Sequence, residues 1–472
     1  MKLKRRKTIV RFATTLLSFA LTMVLLLLAT GLADGAGAEN NAAEAPGPVY
    51  SPEFQEWSAP VCGAAPLGAV RCHAWVIVDE TGRPLAPKGA KGYGPAQLLG
   101  AYGLSGTAAG APIIAIVGAN DDPTAASDLN YFSNTYGIPE LPACPTSPWP
   151  PAAACFRKTD QNGGENYPPA DWGWAVEFSL DLQTAHSICQ NCVLVLVEAN
   201  SSDENDVLAA IDEARSLGAK AISNSWGGAE SHGELSWDSH FDIPGVAITF
   251  SAGDNGYGAV YPAASPYVTA VGGTTLTVDG DNQWVSETAW HGTGSGCSKY
   301  EPPPEFQTAL GLPGCAFRMV ADVSADADPS TGLTVYDSTG DNGHNGWMLV
   351  GGTSMASPLI AAVYALGAID ADVMANSVPY ASVAYGKNLH DIVSGSNGSC
   401  APSYLCHAVA GYDGPTGLGT PLGVGAFGVA GDDDDDDTSD DDDNDDNDSV
   451  DDDSSPAPPH GQSSDKSGGC GC

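Results

Sequence analysis

The stretch Gly351-Gly352-Thr353-Ser354-Met355-Ala356-Ser357-Pro358 brings a hydroxyl to the start of an apolar run through Leu359, Ile360, Val363 and Leu366. Two glycines let backbone approach a ligand closely. The first turn of a helix offers free N–H groups and the positive end of its dipole to a developing oxyanion. Ser354 therefore reads as a nucleophile, and a nucleophilic serine needs a base. The segment Trp174–Gln183 supplies candidates, because Glu177 and Asp181 lie four apart in a helix of buried-type residues. That spacing puts both carboxylates on one face, about 6 Å apart. Like charges so close resist joint ionisation, and burial raises a carboxyl pKa further, so one can take the serine proton while the other holds it. A third piece is Ser251-Ala252-Gly253-Asp254-Asn255-Gly256, directly after an apolar strand. An Asp at such a strand end donates to an oxyanion only when protonated. Taken singly, the acidic pair reads as a solvated helix face and Ser251–Gly256 as a turn.

The elements that must position these groups alternate. Ile113 to Val117 reads as a buried strand, followed by a helix through Leu129 and Phe132. Val193 to Val197 is a second, followed by Val207, Ala210, Ile211, Ala214 and Leu217 at helical spacing. Ala221 to Ser223 and Val246 to Phe250 complete the set. Buried strands alternating with amphipathic helices predict an α/β domain, a mostly parallel sheet covered by helices on both faces.

Subtilisin-like enzymes flank their serine loop with an Asp ending the first strand and a His-Gly-Thr-His stretch opening a helix. Here the first strand ends in Gly118, with Asp121 and Asp122 beyond it, and His291-Gly292-Thr293 comes after the fourth strand in a Gly/Ser-rich loop. The order Glu-x-x-x-Asp, S-x-G-D-x-G, G-T-S-x-A-S-P instead resembles the sedolisin (serine-carboxyl peptidase) family. Ser223-Asn224-Ser225-Trp226-Gly227, Tyr261-Pro262-Ala263 and Val271-Gly272-Gly273-Thr274 add to the likeness. The resemblance runs from about Tyr93 to Phe427 and implies a subtilisin-like peptidase domain. It implies Ser354 as nucleophile, Glu177 as general base and then acid, Asp181 as the carboxylate tuning Glu177, and Asp254 as the oxyanion-hole acid. The reaction implied is peptide hydrolysis at acid pH through an acyl-enzyme. It also implies one structural Ca2+, held by side chains of Asp391 and Asp413 and carbonyls of Ile392, Val409 and Gly411. Val409 departs from the glycine more usual there, but only its carbonyl would bind. A subtilisin-type serine protease using His291 or another histidine and a surface binding protein on an inactive peptidase scaffold are the alternatives.

The ends of the chain bear on location. Basic residues from Lys2 to Arg11, an apolar run from Phe12 to Leu28 and small residues ending at Ala36-Gly37-Ala38 predict a signal peptide over 1–38 and a secreted or surface protein. An uncleaved signal anchor is the other reading of that run. Residues 39–92 read as a short pro-region or N-terminal extension, 93–428 as the peptidase domain and 429–472 as a disordered Asp-rich tail ending in Gly-Cys-Gly-Cys. Twelve cysteines in an exported chain favour disulfides. Ten fall in close pairs, Cys62/Cys72, Cys144/Cys155, Cys189/Cys192, Cys297/Cys315 and Cys400/Cys406, although spacing does not fix connectivity. Cys189 and Cys192 also match a redox C-x-x-C, without a thioredoxin-like context. A formal net charge of -40 excludes nucleic acid and anionic membrane surfaces as electrostatically favoured partners. Protein or peptide substrates, no stable membrane insertion after signal cleavage, and a monomer are expected.

Overall fold

Four short strands open the described chain: Val49–Ser51 (β1), Glu56–Pro60 (β2), Arg71–Cys72 (β3) and Trp75–Val78 (β4). The computed structural model describes residues 47–66, 68–86, 92–341 and 344–428. The expected signal at 1–38 and the tail at 429–472, with Cys470 and Cys472, lie outside the described residues. Among the described residues no helix is long and apolar enough to cross a membrane.

The central body then alternates: Ile113–Ala119 (β5), Ala125–Tyr136 (α1), Phe156–Asp160 (β6), Trp172–Ile188 (α2), Val193–Ala199 (β7), Glu204–Ser216 (α3), Ala221–Asn224 (β8), Trp226–Ala229 (β9) and Ala247–Ser251 (β10). Val260–Tyr261 (β11), Thr269–Val278 (β12), Trp284–Ala289 (β13), Val323–Asp326 (β14), Leu333–Asp341 (β15), His344–Gly351 (β16) and Thr353–Gly367 (α4) follow. The main sheet runs β13-β12-β10-β8-β5-β7-β6, with β14 also paired to β12. Its pairs are parallel except β12 with β13. Every residue of β5 and β7 is buried, which a strand achieves only when both faces of its sheet are covered.

The helices follow from their buried stripes. Helix α3 turns Val207, Leu208, Ala210, Ile211 and Ala214 onto β5 and β7, and Asp203 caps it by accepting from the Asn205 N–H at 3.0 Å. Helix α2 is buried from Gly173 to Ile188 because it lies among β5, α4 and β15. A helix covered all round needs no amphipathic pattern.

A second sheet has the order β1-β2-β4-β16-β15, with all four pairings antiparallel. The stretch read as an extension ahead of Tyr93 is therefore built into the sheet that leads to the Ser354 loop. Strand β3 joins a third, three-stranded sheet through β9. All five close cysteine pairs are disulfides, including Cys189–Cys192, whose residues are fully buried at the end of α2.

Candidate active site

Asp171 starts α2 by accepting from the Trp174 N–H at 3.1 Å, and the helix carries Glu177 and Asp181 into the interior, each 1% exposed. The solvated-face reading of this pair therefore does not hold. Glu177 Oε2 accepts from the Ala74 N–H at 3.0 Å, while Oε1 is buried without a hydrogen-bond partner. Asp181 Oδ1 accepts from the Ser225 hydroxyl at 2.7 Å.

Ser354 is the second residue of α4. Gly352 caps that helix at φ 96°, a left-handed conformation that side chains rarely adopt, and a Cβ there would meet the His73 carbonyl oxygen at 2.0 Å. Pro358 has no N–H to bond the carbonyl four residues back, which belongs to Ser354. Ser225 fills that gap, its hydroxyl lying 3.2 Å from the Ser354 carbonyl as well as on Asp181. The Ser354 hydroxyl in turn donates to the Ser225 carbonyl at 3.3 Å, a long bond, and also lies near enough to Glu177 to lower that carboxyl's pKa. Ser225 thus links Ser354 to the acidic pair.

Asp254 follows β10 and faces the same helix start. Its Oδ1 accepts from the Thr353 N–H at 2.9 Å and the Thr353 hydroxyl at 2.7 Å. Its Oδ2 is buried and unpartnered, 2.7 Å from the position of a Cβ on Gly352. That leaves one buried carboxylate oxygen beside Gly352, at the start of α4.

Burial, then the charge of Asp181, pushes Glu177 well above the usual glutamate range, against the pull of bonds from Ser354 and Ala74. Burial likewise holds Asp181 well above its ordinary value, although the Ser225 bond favours its charged form. Asp254 rises to about 7 through burial, opposed by its Thr353 bonds and by the Arg71 charge. Glu177, Asp181 and Asp254, all buried, are thus all shifted toward their protonated forms.

The subtilisin arrangement is physically closed off. A Cβ at Gly118 would lie 2.5 Å from the Phe178 ring, so an Asp there would displace a fully buried aromatic. His291 is exposed, with its ring against Trp290. Sequence reasoning missed Ser225, Thr353 and the segment Arg71–Trp75. Ser225 and Thr353 sit inside motifs that had been singled out; no local pattern marked residues 71–75 as site residues.

The residues expected to hold calcium also converge. Asp391 accepts from the Gly411 N–H at 3.2 and 3.1 Å, and Asp413 Oδ2 accepts from the Val409 N–H at 2.9 Å. Burial pushes Asp413 up to about 7, and the Asp391 charge adds to that, so the two carboxylates feel each other. Among the described residues no group of three or more His, Cys, Asp or Glu is placed to hold a metal. A cation between Asp391 and Asp413 would have to complete its shell with carbonyls of Ile392, Val409 and Gly411 and with water, which suits a hard oxygen-seeking ion.

A profile described as Subtilase family (Peptidase_S8) matches residues 185–376, a span that holds Asp254 and Ser354 but starts after Glu177 and Asp181. Sedolisin from Pseudomonas sp. (strain 101) is 26% identical over 397 residues, covering 74% of this chain and 63% of that protein. Kumamolisin from Bacillus sp. (strain MN-32) is 30% identical over 303 residues, covering 56% of this chain and 52% of that protein. A solved structure of Pseudomonas sedolisin, a serine-carboxyl proteinase, complexed with two molecules of pseudo-iodotyrostatin, aligns with a TM-score of 0.57 at 25% identity. The alignment covers 71% of this chain and 96% of that one. The chain is similar to sedolisin-family peptidases. Its fold is subtilisin-like, and in it the α2 carboxylates Glu177 and Asp181 are buried, Asp181 sharing the Ser225 hydroxyl with the Ser354 carbonyl. It spans 63% and 52% of the length of the two relatives named.

Proposed function

We propose that the chain is an exported serine-carboxyl endopeptidase that hydrolyses peptide bonds in acid. The observation that carries this reading is the Ser225 bridge: one residue accepts from the Ser354 hydroxyl and donates to Asp181, beside a Glu177 with a free buried oxygen. The pair works as a monoanion. Asp181 keeps a proton, and Glu177 accepts the Ser354 proton as Oγ attacks the peptide carbonyl. The oxyanion is met by protonated Asp254 Oδ2 and by the free N–H groups opening α4. Glu177 then passes its proton to the leaving nitrogen, and the same pair activates water against the acyl-enzyme.

Acid activity follows from Asp254. With its carboxyl pushed to about 7, it is a donor below that pH and a repelling anion above it. Five disulfides support an oxidising compartment, consistent with export. Asp391 and Asp413, with the carbonyls of Ile392, Val409 and Gly411, would hold one Ca2+, which would brace the loop without entering the reaction.

Casein digestion between pH 3 and 7 tests the assignment. Wild type turns over in acid, whereas Ser354→Ala and Glu177→Gln each lose about 10⁴-fold or more. Equal turnover by all three proteins refutes the mechanism.

A further inference from the structure

Four carboxyls that the reaction does not use meet beside one wall of the cleft. Glu230 follows β9, Glu234 and Asp238 stand on the single turns Glu234–Ser236 and Asp238–His240, and Glu301 lies in the loop between Cys297 and its disulfide partner Cys315. Glu234 and Glu301 are fully buried. Glu230, Ser231 and Lys299, from the same two stretches of chain, line a cavity of about 520 Å³ that also reaches Asp254.

Three of the four find ordinary donors. The Ser231 N–H donates to Glu234 Oε2, the Lys299 N–H to Glu230 Oε1 at 3.0 Å, and the Ser265 and Tyr261 hydroxyls to Asp238 Oδ1 at 2.7 and 3.2 Å. Glu301 is different, because no N–H or hydroxyl reaches either of its buried oxygens. What lies within bonding reach of it is the carboxyl of Asp238, with that of Glu234 beside it. A carboxylate only accepts, so two carboxyls bond only when one carries a proton. No neighbouring cation takes the proton's place. Lys299 Nζ is 3.7 Å from Glu230 Oε2 but its side chain is 70% exposed, and the Arg318 guanidinium is paired with Asp322. His240 pairs with Asp212, and His232 is exposed with its ring 4.5 Å from that of Tyr300. Burial raises Tyr261 and Tyr267, the charges of Asp238 and Glu301 add to it, and Asp242 adds further at Tyr267, so both phenols stay neutral.

We propose that Glu301 is a proton-operated latch: while protonated it ties its loop to the Glu230–His240 segment and keeps that wall of the cleft closed, and deprotonation lets the two part. Burial, then the charge and bond of Asp238, pushes Glu301 up to about 9 from an ordinary 4.5. Burial likewise raises Asp238, against its bonds from Ser265, Glu301 and Tyr261, and lifts Glu234 to about 7, against its bond from Ser231. A raised folded pKa means that the closed form keeps a proton which an open, solvated form releases. The latch is therefore fully effective below about pH 4.5, and its contribution is lost as pH rises toward 9. Each pH unit between favours opening about tenfold for the Glu301 proton alone. Nothing in this latch requires peptide hydrolysis, so its test is separate from that of the peptidase reading.

The test uses the full chain carrying Ser354→Ala, with and without Glu301→Gln. The amide nitrogen donates to Asp238 or Glu234 at any pH, where the carboxyl needs a proton. Thermal melts should give the two proteins the same Tm within about 1 °C at pH 4, and a Tm about 3 °C or more higher for Glu301→Gln at pH 8. Amide hydrogen exchange, corrected for its intrinsic pH dependence, should show protection of 230–240 and 298–304 falling between pH 5 and 8, less steeply in Glu301→Gln, while β5 and β7 hold theirs. Asp238→Asn, whose oxygen keeps the Ser265 and Tyr261 bonds while its nitrogen faces Glu301, should reproduce the selective gain at pH 8 if Glu301→Gln folds poorly. A gain equal at both pH values, or none at pH 8 in either variant, overturns the latch. Equal loss of protection in β5 and β7 shows global unfolding instead and overturns the local opening.

Discussion

Replacing Asp254 with Asn isolates the electrostatic demand of the proposed oxyanion site. The amide has the carboxyl's shape: its oxygen can keep both Thr353 bonds, at 2.9 and 2.7 Å, while its nitrogen takes the place of the unpartnered Oδ2. Asp254 has a folded pKa of about 7 against an ordinary aspartate value of 3.8. Between those values the folded chain holds a proton that the unfolded chain has released, so stability falls as pH rises. Below 3.8 the penalty is absent, and above about 7 it is complete. At about 1.4 kcal/mol per pH unit, the loss across the window is about 4 kcal/mol. The group is 3% exposed, so solvent screening takes little from that figure. In a Ser354→Ala background, which prevents self-digestion, urea unfolding at pH 3.5 and 7 measures it. Other buried carboxyls move both proteins alike and cancel in the difference. Asp254→Asn should gain about 4 kcal/mol on its parent between those two pH values. A change in the gap below about 1 kcal/mol would show that Asp254 ionises freely in the fold and would undo the argument for a protonated donor.

Three further outcomes follow from the same geometry. Ser225→Ala removes the donor shared by Asp181 and the Ser354 carbonyl, and should lower kcat about 10- to 100-fold with little change in KM, measured on a quenched peptide. His291→Ala should keep peptide hydrolysis within about twofold, because its ring lies exposed against Trp290; a thousandfold loss would restore the histidine mechanism. Excess EDTA should lower the Tm of the wild type, and Asp391→Ala should abolish that EDTA effect; equal shifts in both proteins would place any cation elsewhere.

Much of the site was legible because its signals are local. Gly351 and Gly352 ahead of Thr353-Ser354, with Pro358 four residues past the serine, mark a special helix start whatever surrounds it. The spacing of Glu177 and Asp181 fixes a shared helix face by geometry alone. The close cysteine pairs became disulfides because short loops leave few other partners. The apolar runs at β5 and β7 announced buried parallel strands.

Other features depend on which groups the fold brings together across long separations. Whether Glu177 faces water or the interior depends on α4 and β15 packing over α2, more than 150 residues further along the chain. Its raised pKa is a property of that burial, not of its neighbours in sequence. Ser225 became a bridge because Pro358 frees a carbonyl against which β8 happens to end. Residues 71–75 come to the site because β9 and β16 each pair with this segment, and backbone hydrogen bonds reward any strand that fills an open edge. The sequence by itself thus determined the chemical groups and the elements that carry them. The tertiary structure decided their burial and mutual contacts, because desolvation and strand pairing are non-local.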